Sequence, residues 1–107
     1  GLVEDWFNDE LDYDYAEMVN LHRIGLPTVH LDVDFKAISR LGDTVTLALQ
    51  VERIGGASLK LTLRCLGADD SVRLTMHQVL VTTSLVSHRA IEIPTDLRAA
   101  MLRWSND

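Results

Sequence analysis

The sequence holds 107 residues, 47% of them hydrophobic and 24% charged, with 16 acidic against 10 basic side chains and a formal net charge of −6. That length suits one domain with a single core, and the acidic balance disfavours nucleic acid and anionic membrane surfaces as partners. No apolar run approaches the roughly 20 residues of a membrane span, no secretory leader pattern is visible, and a lone cysteine, Cys65, excludes disulfide scaffolds and cysteine-based zinc sites within one chain.

The first predicted element is a long amphipathic helix over Leu2 to Leu11, LVEDWFNDEL. Val3, Trp6, Phe7 and Leu11 recur at i, i+3, i+4 and i+8, while Glu4, Asp5, Asn8, Asp9 and Glu10 hold the other faces. A Trp beside a Phe brings about 150 to 250 Å² each of area to bury. The cover has to come from the strands downstream, which are expected to wrap this helix as a curved antiparallel sheet. Only Gly1, a poor cap, precedes Leu2, so the element is expected to begin upstream of Gly1. Asp12 and Asp14 then break the rhythm. Asp14 with Glu17 forms a capping box for a short helix over Tyr15 to Leu21, closed by Gly25 and Pro27.

From Thr28 the period changes to two. Val29, Leu31, Val33 and Phe35 alternate with His30, Asp32, Asp34 and Lys36, which predicts a strand with its apolar face buried. Leu41-Gly42-Asp43 reads as a turn, and Val45, Leu47, Leu49 and Val51 repeat the alternation. Gly55-Gly56 supplies the positive φ angles of a tight hairpin. Leu59, Leu61, Leu63 and Cys65 line the next strand, and Gly67 to Asp70 turns the chain. In Ser71 to Ser84 the inward set starts as Val72, Leu74 and Met76, then slips near His77 and Gln78 to Val79 and Val81, which implies either a bulge there or a strand covered on both faces. A return over Ile91 to Ile93 precedes Pro94 and a terminal helix marked by Leu97, Ala100, Met101 and Trp104, with Thr95 as its N-cap. Hairpin-linked strands whose single apolar face must pack on a helix make the fold class α+β.

Three groups of polar residues could carry chemistry. His30, Asp32 and Asp34 share one strand face, where they read as wet or interface residues rather than metal ligands. His77, at the phase slip, reads as a satisfied core or interface histidine. Cys65 on the apolar face reads as a small core residue rather than a nucleophile. No Ser-His-Asp spacing, phosphate loop or dinucleotide fingerprint is present. No metal or cofactor is implied.

The run DYAEMVNLHRIGLPTVHLDVDFKAISRLGD, Asp14 to Asp43, resembles the 4-hydroxybenzoyl-CoA thioesterase-like branch of the hotdog-fold superfamily, in its Gly-Leu-Pro stop, its strand ending in Asp34-Phe35 and its Leu-Gly-Asp turn. RIGGASL, Arg53 to Leu59, is similar to that family's Gly-x-x-Ser hairpin, and IEIPTDLRAAM, Ile91 to Met101, to its closing segment and helix. The resemblance implies a single hotdog domain over residues 1–107, in which a sheet wraps one long helix. It implies an acyl-CoA thioesterase acting as a homodimer or homotetramer in the cytoplasm, with acyl-CoA as its small-molecule partner. The family's first strand and its loop with the catalytic Asp have no counterpart here, the chain beginning at Gly1 inside the helix. Glu4 then matches the acid often found in the first turn and is the catalytic residue expected among those present, although first-turn acids also stabilise a helix dipole without catalysis. Gly55, Gly56 and Ser58 match the hairpin that contacts CoA. Relatives often carry Arg or Lys in this turn, and Arg53, Lys60 or Arg64 could compensate for its lack here. The same fold also serves non-catalytic acyl-CoA or acyl-carrier binders. With the first strand missing, the open sheet edge is expected to pair with a second copy.

Overall fold

The computed structural model describes residues 2–37, 42 and 44–105. Its organising residues are the two aromatics of the first element. Trp6 and Phe7 are buried with their rings edge-on, 5.4 Å between centroids, and Phe7 is edge-on again to Tyr13 and Tyr15. The helix that carries them is short rather than long. It runs as α1 (Leu2–Asp5) and continues as a π turn (Trp6–Glu10). The π turn closes where Leu11 N–H reaches back five residues to the Trp6 carbonyl at 3.0 Å, which keeps Leu11 on the buried side.

The N-cap bond of the expected capping box forms: Asp14 Oδ1 accepts from Glu17 N–H at 3.0 Å and opens α2 (Tyr15–Asn20), while the Glu17 carboxylate lies 3.5 Å from His22 Nε2. Leu26 follows β1 (Ile24–Gly25) into the core. Strands β2 (Thr28–Phe35), β3 (Val45–Ile54), β4 (Ser58–Gly67) and β5 (Val72–Val81) form one antiparallel sheet in the order β2-β5-β4-β3. β6 (Thr83–Ser84) pairs with β1, and α3 (Thr95–Ser105) closes the chain. Of the expected Leu41-Gly42-Asp43 turn, Leu41 and Asp43 lie outside the described residues, as does Gly1, and Gly42 takes a φ of 90°.

Directly opposed residues of an antiparallel pair share a face. The register therefore places Leu59, Leu61 and Leu63 of β4 with Leu80, Gln78 and Met76 of β5 on the inner face, under the N-terminal segment and α3. Thr62 pairs with His77 on the outer face. Three sequence expectations change here. No register shift falls at His77 and Gln78, β5 staying in register with β4 from Leu74 to Val81; the shifts lie between Thr28 and His30 of β2, Val51 and Arg53 of β3, and Cys65 and Leu66 of β4, and the apparent slip is one polar residue, Gln78, in an inward position. Thr95 is already the first helical residue of α3: the Pro94 carbonyl accepts the first helical bond from Arg98 N–H, and the Asp96 carboxylate takes the Leu97 N–H. Every residue of β2 is exposed, including the inward-facing Leu31, Val33 and Phe35, the last at 79%. A helix of this length covers β4 and the near ends of β3 and β5, and leaves the inner face at β2 open.

Candidate functional site

The β3–β4 turn is tied to three other parts of the chain, the β5–β6 junction, the segment before α3 and α3 itself. Gly55 N–H closes it on the Ser58 carbonyl at 2.7 Å. Ile93 N–H, from the segment that leads into α3, donates to the Gly56 carbonyl at 2.8 Å. Thr82, buried between β5 and β6, donates its N–H to the Ala57 carbonyl at 2.8 Å, and its hydroxyl lies 2.6 Å from the Ile91 carbonyl. Arg98, in the first turn of α3, donates from Nη2 to both the Gly55 carbonyl (2.8 Å) and the Gly56 carbonyl (3.0 Å). Neither glycine takes a positive φ, contrary to expectation. A Cβ at Gly55 would sit 2.6 Å from Ser58 Oγ and 3.4 Å from the Ser58 carbonyl, so a side chain there requires the Ser58 hydroxyl to turn away. The three expected substrate-binding residues, Gly55, Gly56 and Ser58, thus form one rigid turn.

Glu4 lies elsewhere, exposed on α1, near enough to Tyr15 that its charge adds to burial in raising that phenol. Asp5, beside it in sequence, reaches a cavity of about 320 Å³ between the N-terminal segment, β3, β4 and α3. Trp6, Leu47, Leu49, Leu63 and Trp104 give that cavity apolar walls, and the exposed Asp9 and Glu10 complete its lining. Trp6 and Trp104 meet edge-on across it at 5.4 Å.

The expected compensating cations divide. Arg64 donates to Gln50 Oε1 at 3.0 Å, well along the sheet, whereas Arg53 and Lys60 are register partners one pair from the turn. Of the outer-face groups, two are surface pairs, His30 Nε2 lying 2.9 Å from Asp32 and Lys36 2.8 Å from Asp34, whereas the half-buried His77 is satisfied at Nδ1, 3.1 Å from Oγ1 of the fully buried Thr62. No cluster of three or more potential metal-ligating side chains occurs among the described residues. Cys65 is a half-buried free thiol on the inner face.

One feature had no sequence signal. Tyr13, facing an acidic cleft of about 280 Å³ with Asp12, Asp14, Glu17 and Asp96, donates its hydroxyl to Asp96 Oδ1 at 3.4 Å. Burial first, then the Asp96 charge, push its phenol from 10.0 up to about 12. Because the folded value lies above the unfolded one, this contribution to stability is complete below about pH 10 and is lost as pH rises through about 12. Titration by phenolate absorbance should show one late tyrosine. Asp96→Asn should bring it down part of the way, burial being the larger cause; an unmoved midpoint would remove Asp96 from the account.

A family model described as the thioesterase-like superfamily matches residues 2–101. The chain belongs to that superfamily. Among solved structures, it superposes on a hypothetical protein of Staphylococcus aureus in complex with CoA with a TM-score of 0.84 at 19% identity, covering 94% of this chain and 63% of that one. A 1,4-dihydroxy-2-naphthoyl-CoA thioesterase from Synechocystis gives 0.83 at 17% identity, covering 94% and 73%. The DHNA-CoA thioesterase of Staphylococcus aureus gives 0.81 at 18%, covering 92% and 67%. These likenesses show the hotdog fold, and this thioesterase-like chain spans a little under two thirds of the first structure's length. A comparison with curated proteins gives no match. No described helix of the thioesterase-like chain is long and apolar enough to cross a membrane.

Proposed function

We propose that the chain is a single-domain acyl-CoA thioesterase, hydrolysing an acyl-CoA thioester to the free acid and CoA in the cytoplasm. The observation that carries this reading is the superfamily match over residues 2–101. The CoA seen with the Staphylococcus aureus neighbour supports the ligand class. In this reading the acyl group occupies the cavity walled by Trp6, Leu47, Leu49, Leu63 and Trp104, whose volume lies in the usual range for small-ligand sites. The Gly55-Gly56-Ser58 turn holds part of the CoA. Glu4 takes a proton from the water whose oxygen attacks the thioester carbonyl carbon. The N–H groups of the first helical turn, which have no acceptor within the helix, stabilise the oxygen that becomes negative. Collapse of the adduct breaks the C–S bond and releases CoA as a thiolate that is then protonated.

A non-catalytic acyl-CoA or acyl-carrier binder is the second reading, favoured by the exposure of Glu4, a carboxylate open to bulk water. Short, long and aromatic acyl-CoAs screened with a free-thiol reagent separate the two. Thiol release on at least one substrate supports the enzyme; saturable binding with no release supports the binder.

The thioesterase is further proposed to work as a homodimer or homotetramer. β2 is an outer strand of the sheet, and Leu31, Val33 and Phe35 on its inner face are all exposed. An open edge beside an apolar row is stabilised by pairing with a second copy. Sedimentation at micromolar concentration should give a dimer or larger; monomer alone would refute the assembly.

A further inference from the structure

We propose that Gln78 is the polar anchor of a second ligand site, on the open β2 side of the inner face, which takes an uncharged, mainly apolar molecule bearing an amide or hydroxyl group. The inference goes beyond the thioesterase reading and does not depend on it. Its starting point is the apparent phase slip in β5. Among the inner-face positions from Leu31 to Phe35, Val45 to Val51, Leu59 to Cys65 and Leu74 to Leu80, Gln78 alone carries nitrogen or oxygen in its side chain. Its register partners on the two sides are Leu31 and Leu61. The side chain is half-buried, and its carboxamide makes no hydrogen bond to any described residue. A carboxamide taken partly out of water without a partner costs stability, and a leucine here would continue the apolar pattern at no such cost. A residue that breaks a local rule with nothing in the fold to compensate points to a ligand.

The surroundings define the ligand. Leu61, on the β4 side, is 1% exposed, whereas Leu31, on the β2 side, is 51% exposed, so the opening beside Gln78 faces β2. Leu31, Val33 and Met76 floor it, and no charged side chain occurs among the inner-face positions named above. A charged group placed there would lose its hydration with nothing to pair with, so the ligand is neutral. The carboxamide offers two donors and an acceptor, which an amide or hydroxyl group on the ligand meets with its own acceptor and donor. The cavity between Trp6 and Trp104 lies on the β3 side of β4, so the two sites are separate. Pairing of the outer strand β2 with a second copy extends the sheet in its own plane. It doubles this floor and leaves Gln78 facing a trough between the two covered halves.

The test titrates the full chain with benzamide as the neutral probe, ethylbenzene as its counterpart without polar atoms and benzoate as its charged counterpart, followed by proton–nitrogen correlation NMR. Benzamide should move the Gln78 side-chain amide pair and the backbone amides of Leu31 and Met76 saturably. It should bind at least about tenfold more tightly than ethylbenzene, and benzoate should not bind. Gln78→Leu should bring benzamide down to the affinity of ethylbenzene while keeping or raising the urea midpoint, a combination that a merely structural glutamine would not give. If Gln78→Leu fails to fold, Gln78→Glu keeps the shape, replaces the donors with a charge and should weaken benzamide in the same way. An unmoved Gln78 pair in the wild type, shifts confined to the Trp6 and Trp104 indole signals, benzoate binding as tight as benzamide, unchanged benzamide affinity in the variants, or a lowered urea midpoint in Gln78→Leu would each overturn the proposal. None of these measurements requires thioester cleavage, so this proposal and the thioesterase reading fail separately.

Discussion

Replacing Phe7 with alanine is expected to destabilise the protein by about 3–5 kcal/mol, the range for removing a buried aromatic ring. Phe7 is 0% exposed and its ring meets Trp6, Tyr13 and Tyr15 edge-on at 5.4, 6.0 and 5.3 Å. Each edge contact adds roughly 0.5–1.5 kcal/mol beyond area burial. The cavity left behind cannot collapse easily, because its walls come from separate elements: the π turn, the loop before α2, and α2 itself. Against the total of about 5–15 kcal/mol typical of a domain, the loss would leave the variant close to unfolding at room temperature. Urea denaturation should show the fall as a lower midpoint at unchanged slope, with Phe7→Leu intermediate. A loss under about 1 kcal/mol would mean the four-ring cluster is not the centre of the core.

The largest effect on activity is expected at Glu4. Glu4→Gln preserves size and hydrogen-bonding capacity while removing the proton acceptor, and kcat on the best acyl-CoA should fall at least about tenfold, toward the hundredfold at which general-base contributions begin. KM should move little, since the turn and the apolar cavity hold the substrate in this reading. The structural role of the residue is too small to imitate this. A carboxylate in a first helical turn contributes about 0.3–1 kcal/mol through the dipole, and Glu4 is exposed, so the variant should melt close to wild type. Unchanged turnover in a folded Glu4→Gln protein would take the base off this helix altogether.

Much of the fold is legible in the sequence because its signals are local. The Trp6, Phe7 and Leu11 stripe is buried, the Asp14 cap forms its bond to Glu17, and the alternation in β3 and β4 gives the inner face at Val51, Leu49, Leu59, Leu61 and Leu63. What is not legible depends on length and on distance. Periodicity reports which face of β2 is apolar and cannot report whether anything covers it, so Leu31, Val33 and Phe35 read as buried and are open. A π turn hydrogen-bonds across one more residue than an α turn, a difference that side-chain spacing over ten residues does not resolve. At the candidate site the turn itself is visible as Gly55-Gly56, whereas its clamp is not. Arg98 lies 42 and 43 residues further along the chain from the carbonyls it binds, and in sequence it is one more cation on an amphipathic helix. Arg53, Lys60 and Arg64 looked equivalent from sequence; the register separates the first two, beside the turn, from the third, committed to Gln50.

The π turn also has a bearing on length variation. Between Trp6 and Leu11 the backbone holds one residue more than an α-helix would need to make the same connection. Removing Asp9, which is exposed, would let the segment rewind to ordinary spacing while Asn8 still accepts the Tyr15 N–H, as it does at 3.1 Å. The first helix therefore contains its own slack, and a sequence one residue shorter at this point can trace the same path and deliver the same leucine to the core.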